Sequence, residues 1–394
     1  MKQRSIALTA LGALAGAAQA QTGVTLYGAL DSSVEYVNRV AAAQPTYSAA
    51  TGTLVPASQG GARVGLPTVG GLSASRWGLR GTEDLGGGLK AFFVLESGFG
   101  SDNGVLQSGG RLFGRAANIG LKGDIGSITL GRQYTAFFDG LANFSPLRLA
   151  TTYEPVVWQL GANYREDNIV KYSGVFGPLK ATVHYSFGVG VPVQGGALPA
   201  TVLANGAAGE TPGNPRDNAG YGAALTWFDG HIGATIAYDE WRPTIVTGQP
   251  GRIRKAAGAM SWENGPVKLT GGYRWNRNSF ANGNTLIRDD YWWAGVNYAA
   301  TRALMLEFAY YYADVKSFRA APTGAATNPP NMQQYSFIAD YNLSKRTDIY
   351  VSTGYSRNGA LAFDSNVTVF SFGYPAMAGQ KGMFGVMAGV RHTF

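Results

Sequence analysis

Apolar and polar residues alternate with a period of two along most of this chain. In residues 267–275, Val267, Leu269, Gly271, Tyr273 and Trp275 share one parity, and Lys268, Thr270, Gly272 and Arg274 share the other. Successive side chains of a strand point to opposite faces, so one face is greasy and the other polar. The same split recurs in 304–313, where Leu304, Leu306, Phe308, Tyr310 and Tyr312 oppose Met305, Glu307, Ala309 and Tyr311. It recurs in 179–187, 232–238 and 335–341. The apolar parity often ends in an aromatic residue, as at Trp227, Tyr298, Tyr312 and Tyr341. Aromatic girdles of this kind mark the two interfaces of a membrane barrel.

The connections between these segments fall into two classes. Short ones lie at 83–87, 123–126, 177–178, 229–230, 264–266, 300–303 and 344–346. Long ones lie at 39–71, 100–113, 134–163, 190–218, 243–254, 278–288, 316–332 and 358–382. Seven short and eight long connections join sixteen strands. Tight turns on one rim and long loops on the other are the layout of outer-membrane barrels. A sheet in lipid must close on itself, because an open edge would leave backbone groups unpaired. Sixteen strands enclose an aqueous channel, whereas eight fill their interior with side chains. The predicted fold is therefore all-β: a 16-stranded antiparallel transmembrane β-barrel with short periplasmic turns and long extracellular loops.

Composition sharpens this picture. Glycine is 56 of 394 residues, aromatics reach 12% and charged residues only 14%, against roughly 25% charged in soluble domains. Cysteine is absent, which removes disulfides, thiolate zinc sites and thiol catalysis. Length alone would allow two or three domains at roughly 150 residues each, but barrels run large, and a single domain over 21–394 is expected. Residues 1–20 read as a secretory signal peptide. Lys2 and Arg4 form its basic start, an apolar run follows, and Ala18-Gln19-Ala20 is the cleavage motif. Without those two cations the formal charge falls from +8 to +6. No basic run exists, so nucleic acid is not an expected partner.

The residues resemble those of a known family. Val24-Thr25-Leu26-Tyr27-Gly28 is similar to the first strand of Gram-negative general porins, and residues 75–91, opening Ser75-Arg76-Trp77-Gly78-Leu79-Arg80-Gly81, to their second strand, first turn and third strand. Ile128-Thr129-Leu130-Gly131-Arg132-Gln133-Tyr134 resembles the fifth strand, and Val390-Arg391-His392-Thr393-Phe394 the C-terminus. The nearest flavour is the betaproteobacterial, neisserial-like type. The resemblance implies an outer-membrane homotrimer of pores, each with its third long loop folded into the barrel. It implies contact with outer-membrane lipid and lipopolysaccharide, and with the barrel-assembly machinery during biogenesis. It also places Arg76, Arg132 and Arg165 on the basic wall of the pore constriction, with Asp139 and Glu154 of the third loop opposite.

Alternation supports part of that site. Trp77 and Leu79 toward lipid put Arg76 and Arg80 in the lumen, and Val170 and Tyr172 toward lipid put Arg165, Asp167 and Lys171 there. Arg132 shares parity with Ile128 and Leu130, so a bend after Gly131, or the strand emerging into the loop, must rotate it inward. The loop carries only Asp139 and Glu154 as acids, and Arg148 adds a cation. A basic wall facing an acid-poor loop predicts moderate anion preference. Val386, Ala388, Val390, His392 and Phe394 share one parity, and Phe394 resembles the C-terminal sorting signal of outer-membrane barrels.

Enzymatic constellations are poor. His184, His231 and His392 lie far apart, and no metal-ligand pair at i, i+2 or i, i+4 is present. The glycine-rich stretches sit in turns rather than before helices. The expectation is a passive diffusion channel for ions and small hydrophilic solutes, with no cofactor and no catalysis. The alternatives are a substrate-specific anion channel of the same fold and, further off, a non-conducting structural or adhesin barrel.

Overall fold

The computed structural model describes residues 23–43, 46–48, 53–55, 58–190, 209–319, 321–363 and 374–394. The leader expected at 1–20 and Gln21, the expected start of the mature chain, lie outside the described residues, as do parts of the connections at 39–71, 190–218 and 358–382.

Sixteen long strands follow one another around a closed antiparallel ring. They are β1 (Gly23–Ala41), β2 (Arg76–Gly86), β3 (Leu89–Gly98), β4 (Ala116–Gly123), β5 (Gly126–Tyr134), β6 (Arg165–Phe176), β7 (Leu179–Ser186) and β8 (Gly220–Phe228). They continue as β9 (Ile232–Trp241), β10 (Arg252–Asn264), β11 (Val267–Ser279), β12 (Thr285–Ala299), β13 (Leu304–Phe318), β14 (Met332–Asn342), β15 (Thr347–Arg357) and β16 (Gly382–Thr393). The ring closes where β1 pairs with β2 on one side, Ala29 opposite Arg76, and with β16 on the other, Ala29 opposite Thr393. A short strand from the first long connection, Gly60–Gly65, pairs with the upper part of β1 beyond the start of β2. Among the described residues, seven tight turns on one rim alternate with the connections of the other rim, most of them long; the one expected over 278–288 is only 280–284, because β11 and β12 extend further than the pattern predicts.

The barrel is inverted relative to a soluble protein. Outward positions such as Leu26, Ile119, Ile236 and Met260 are exposed, and inward ones such as Asp31, Lys255, Arg274, Asp289 and Gln334 are buried. Burial of the polar face is tolerable because the groups satisfy one another across the lumen and because the third long connection fills part of it.

That connection, residues 135–164, enters the barrel. It holds two short helices, α1 (Ala136–Leu141) and α2 (Val156–Leu160). Thr135 caps α1 by accepting the Phe138 N–H. Phe137, Leu141, Phe144 and Trp158 join one core with Ala224, Ala237, Ala257 and Ala309 of the wall. Small lumen-facing residues in β8–β10 and β13 make the space the loop occupies. Polar anchors fix its level: Trp293 Nε1 donates to the Phe144 carbonyl at 2.7 Å, and Asn297 Nδ2 to the Pro146 carbonyl at 2.7 Å. Farther along, Gln334 and Ser336 both donate to the Tyr153 carbonyl.

Candidate functional site: the pore constriction

With the loop in place, a passage remains between it and the wall formed by β1–β3 and β14–β16. The passage includes a cavity of about 820 Å³. Its lining carries eight cations, Arg63, Arg76, Arg115, Arg148, Arg165, Lys345, Arg346 and Arg391, against four carboxylates, Glu35, Glu96, Glu154 and Asp348.

Three arginines meet at one level. Arg115 Nε lies 2.6 Å and Arg76 Nε 3.7 Å from the carboxylate of Glu96. Tyr27 donates its hydroxyl to the same carboxylate at 3.0 Å. Arg165 stands over the Tyr134 ring at 4.3 Å and the Tyr164 ring at 5.2 Å, and it donates to the Tyr134 hydroxyl. Tyr134 is stacked on Phe138 of α1 at 3.6 Å. Ring faces thus position the Arg165 guanidinium where, among the described residues, no carboxylate pairs with it. One acid shared by two arginines, beside a third without a carboxylate partner, leaves the level positive.

The bend expected after Gly131 is present. Gly131 has φ of +111°, a value that favours glycine, and the β5–β6 register shifts between Gly131 and Gln133. The bend does not carry Arg132 into the lumen as expected: Arg132 stays opposite Ala117 of β4 and does not line the passage. It is 6% exposed, its Nη1 pairs with Asp167 at 2.7 Å and its Nε donates to the Gly114 carbonyl at 2.7 Å. Asp167 also takes Arg111 at 2.8 Å. Arg132 therefore supports the wall from behind.

The loop acids part company as well. Asp139 pairs with Lys171 at 2.8 Å, and Lys171 also donates to the Tyr134 carbonyl, so these two expected site residues lock the loop entry rather than face the passage. Glu154 borders the passage but is 2% exposed. It accepts from Ser145 Oγ at 2.6 Å, from the Leu147 and Ala150 amides and from the Tyr311 hydroxyl at 3.0 Å. Burial pushes its carboxyl above the usual range while those donors oppose the shift. Arg80 lies in the lumen nearer the short-turn rim, over the Tyr27 ring at 5.1 Å.

Several participants have no clear mark in the sequence. Arg115 precedes Ala117, Ile119 and Leu121, whose shared parity with it points to lipid; its inward turn belongs to the irregular entry of β4. Arg148 stands out only as a cation in an acid-poor loop. In the structure it bridges Glu307 and Asp340 of the far wall.

One further cluster escapes reading along the chain. Glu166, His184 and Asp239 are buried, with one potential ligand atom from each within 4.8 Å of the others. The imidazole orientation decides what they do. His184 Nδ1 accepts the Ala136 N–H at 3.1 Å, so the ring proton sits on Nε2, which faces Glu166 at 3.3 Å. A histidine that binds metal through Nε2 needs its proton on Nδ1. The cluster is instead an ionic anchor, completed by Lys255 on Asp239 at 2.9 Å and by Asn163 bridging the two carboxylates. It ties the start and the end of the third loop to β7, β9 and β10.

Comparison with known proteins agrees with this architecture. A family model described as Gram-negative porin matches residues 7–361. An outer membrane porin of Bordetella pertussis is 29% identical, covering 95% of this chain and 99% of the relative. Outer membrane porin protein 32 of Delftia acidovorans is 29% identical over the full length of both. Among solved structures, an anion-selective porin from Comamonas acidovorans superimposes with a TM-score of 0.70 at 23% identity, covering 95% of this chain and 100% of that one. A trimer form of OmpT from Vibrio cholerae superimposes at 0.59 and 14% identity, covering 95% of this chain and 99% of that one. A match running through strands, turns and constriction loop alike, on a barrel with an apolar outside and a charged lumen, makes this chain a member of the Gram-negative porin family, a channel of the outer membrane.

Proposed function

We propose that this channel passes small hydrophilic solutes with a moderate preference for anions, set at the level of Arg76, Arg115 and Arg165. The observation that carries the proposal is the lining: eight cations against four carboxylates, with Glu96 shared and Glu154 closed off. Selectivity is decided where the path is narrowest, since charges there lie within the screening length of ~8 Å at physiological salt. Dipolar and anionic solutes are drawn toward the arginine side and slide along it. Catalysis has no part in this reading.

The test is the reversal potential across a planar bilayer under a potassium chloride gradient. Anion preference is expected in the wild type, fading toward 1 M salt, where the screening length is ~3 Å. Arg76→Ala and Arg165→Ala should each reduce it, with conductance rising or unchanged. A cation-preferring wild type, or selectivity indifferent to both substitutions, would overturn the proposal. A conductance that saturates with one particular anion would turn the reading toward a substrate-specific channel.

We further propose that residues 1–20 are removed on export and that the mature barrel assembles as a homotrimer with the help of the barrel-assembly machinery. The first part is supported by the Ala18-Gln19-Ala20 motif. Mass spectrometry of the outer-membrane protein should find Gln21 at its N-terminus.

A further inference from the structure

The two sides of the passage differ in kind as well as in charge. On the wall side stand Arg76, Arg115 and Arg165. On the loop side Tyr134, Phe138, Leu149 and Val156 pack on the loop core but stay partly open, and all four border the passage. Helix periodicity explains two of them. Phe137 and Leu141 of α1, and Val157 and Leu160 of α2, turn into the core, which leaves Phe138 and Val156 on the other side. Tyr134 and Phe138 lie face to face at 3.6 Å, and Arg165 stands over Tyr134, so the apolar strip begins at the arginine level.

The charges of the loop are withdrawn from this face. Asp139 is held by Lys171, and Glu154 by Ser145, Tyr311 and two backbone amides. Arg148 is turned to Glu307 and Asp340. What the loop presents to the wall cations is hydrocarbon and ring rather than carboxylate. On the wall, Arg76 is the most open of the three arginines: its side chain is 29% exposed against 12% for Arg115, and Arg165 is almost buried. Arg76 Nη1 donates to the Ala74 carbonyl at 3.1 Å and its Nε faces Glu96 at 3.7 Å, while its Nη2 makes no hydrogen bond among the described residues. An apolar lining with a few placed charged groups is the composition of small-molecule sites, and the cavity of about 820 Å³ lies within their size range.

We infer that the passage takes amphipathic organic anions, monocarboxylates with an apolar body, in preference to fully hydrophilic ones. The carboxylate meets the open edge of Arg76 in the field of Arg115 and Arg165, and the body lies along Phe138, Leu149 and Val156. The inference rests on the reading that the arginine level favours anions, and adds what the opposite side selects. A small hydrated anion gains only from the charge, whereas an amphipathic one also removes apolar surface from water. The strip covers one face of the solute and leaves the other wet, so binding stays weak enough for release, as conduction requires.

The experiment measures, in planar bilayers, the concentration of acetate, butyrate or hexanoate that halves the chloride current. A fully buried methylene is worth about fourfold, so one covered face is worth about twofold, and hexanoate should act at roughly one-fifteenth the concentration of acetate. Hexanamide has the same chain without the charge and should not block at the concentrations where hexanoate does. Two variants remove the strip without disturbing the fold. Leu149→Asn suits the backbone at φ of +63°, where asparagine is tolerated, and Val156→Thr keeps the side-chain shape. Together they should bring hexanoate within about twofold of acetate and leave the potassium chloride reversal potential unchanged. Arg76→Ala should weaken every member of the series by the same factor. Equal block by acetate and hexanoate in the wild type, a chain-length dependence that survives both strip variants, or block by hexanamide equal to hexanoate would overturn the inference. The wild-type series and Val156→Thr alone keep the test open if the double variant fails to fold. The reversal potential reads the underlying selectivity separately: a flat series in an anion-preferring channel sinks this inference alone, and a cation-preferring channel sinks the reading beneath it.

Discussion

Phe394 closes the barrel, and we propose that it is also the terminal sorting signal. Its backbone N–H donates to the Gly28 carbonyl at 3.1 Å and its carbonyl accepts the Gly28 N–H at 3.0 Å, so the last residue is the final rung of the barrel seam. Its ring lies so close to Gly28 that a Cβ there would stand 2.4 Å from Phe394 Cζ. Deleting Phe394 should lower outer-membrane yield and leave protein in the periplasm, with normal conductance in the molecules that do insert. Fractionation and gel mobility of the unheated protein check this. Gly28→Leu separates the two roles, since it keeps the terminal aromatic but displaces its ring, an overpacking that costs about 1–3 kcal/mol. If closure matters, the variant loses heat resistance; if the aromatic is only a sorting signal, both yield and heat resistance stay at wild-type level.

At the scale of the element, the third loop is held by opposite charges rather than by helix length, since α1 and α2 are too short to be stable alone. Its entry is fixed by Lys171 on Asp139 and by the His184 anchor, and its middle by Arg148 on Glu307 and Asp340. Those two carboxylates are almost fully buried beneath Arg148. Arg148 and the next residue, Leu149, have φ of +57° and +63°, so the backbone holds a disfavoured conformation to bring the side chain there. Arg148→Ala should do two things. It frees the middle of the loop, which reads as added open-channel noise. It also removes one lining charge and leaves Glu307 without an ion-pair partner among the described residues, while Asp340 keeps Arg391 at 3.5 Å, so the reversal potential moves toward cations by about one lining charge. A quiet channel with wild-type selectivity would show that the loop is held without Arg148.

For the whole molecule, the outer surface decides assembly. The strands near the seam carry small outward residues, Gly28, Ala91 and Ala117, beside the exposed Leu30. A small-residue face lets subunits approach closely in lipid, where packing replaces the hydrophobic effect. A trimer that survives mild detergent at room temperature is expected. Light scattering with the detergent mass subtracted checks it, and a monomer would refute it. Ala117→Trp should shift that mass toward monomer while leaving single-pore conductance unchanged.

Local patterning carried the fold, and three-dimensional closure decided the site. Alternation with period two specifies which side of each strand is wet, and the two classes of connection specify the strand number and the rims. Both are properties of neighbours along the chain, so they are legible in residues such as Val267 to Trp275. Arg76 and Arg165 were legible for the same reason: they lie on or at the end of strands whose parity faces the lumen. Arg132, Asp139 and Glu154 were not. Each has a partner far away in sequence or an irregular backbone: Asp167 and a bulge for Arg132, Lys171 for Asp139, Tyr311 for Glu154. The same holds for Arg115 and for the His184 anchor, where the sheet brings together groups from β6, β7 and β9 that have no common spacing. A charge that is paired and buried acts as structure, and one that stays open acts on solutes. Sequence sets which charges exist, but only the folded barrel sets which of them find a partner.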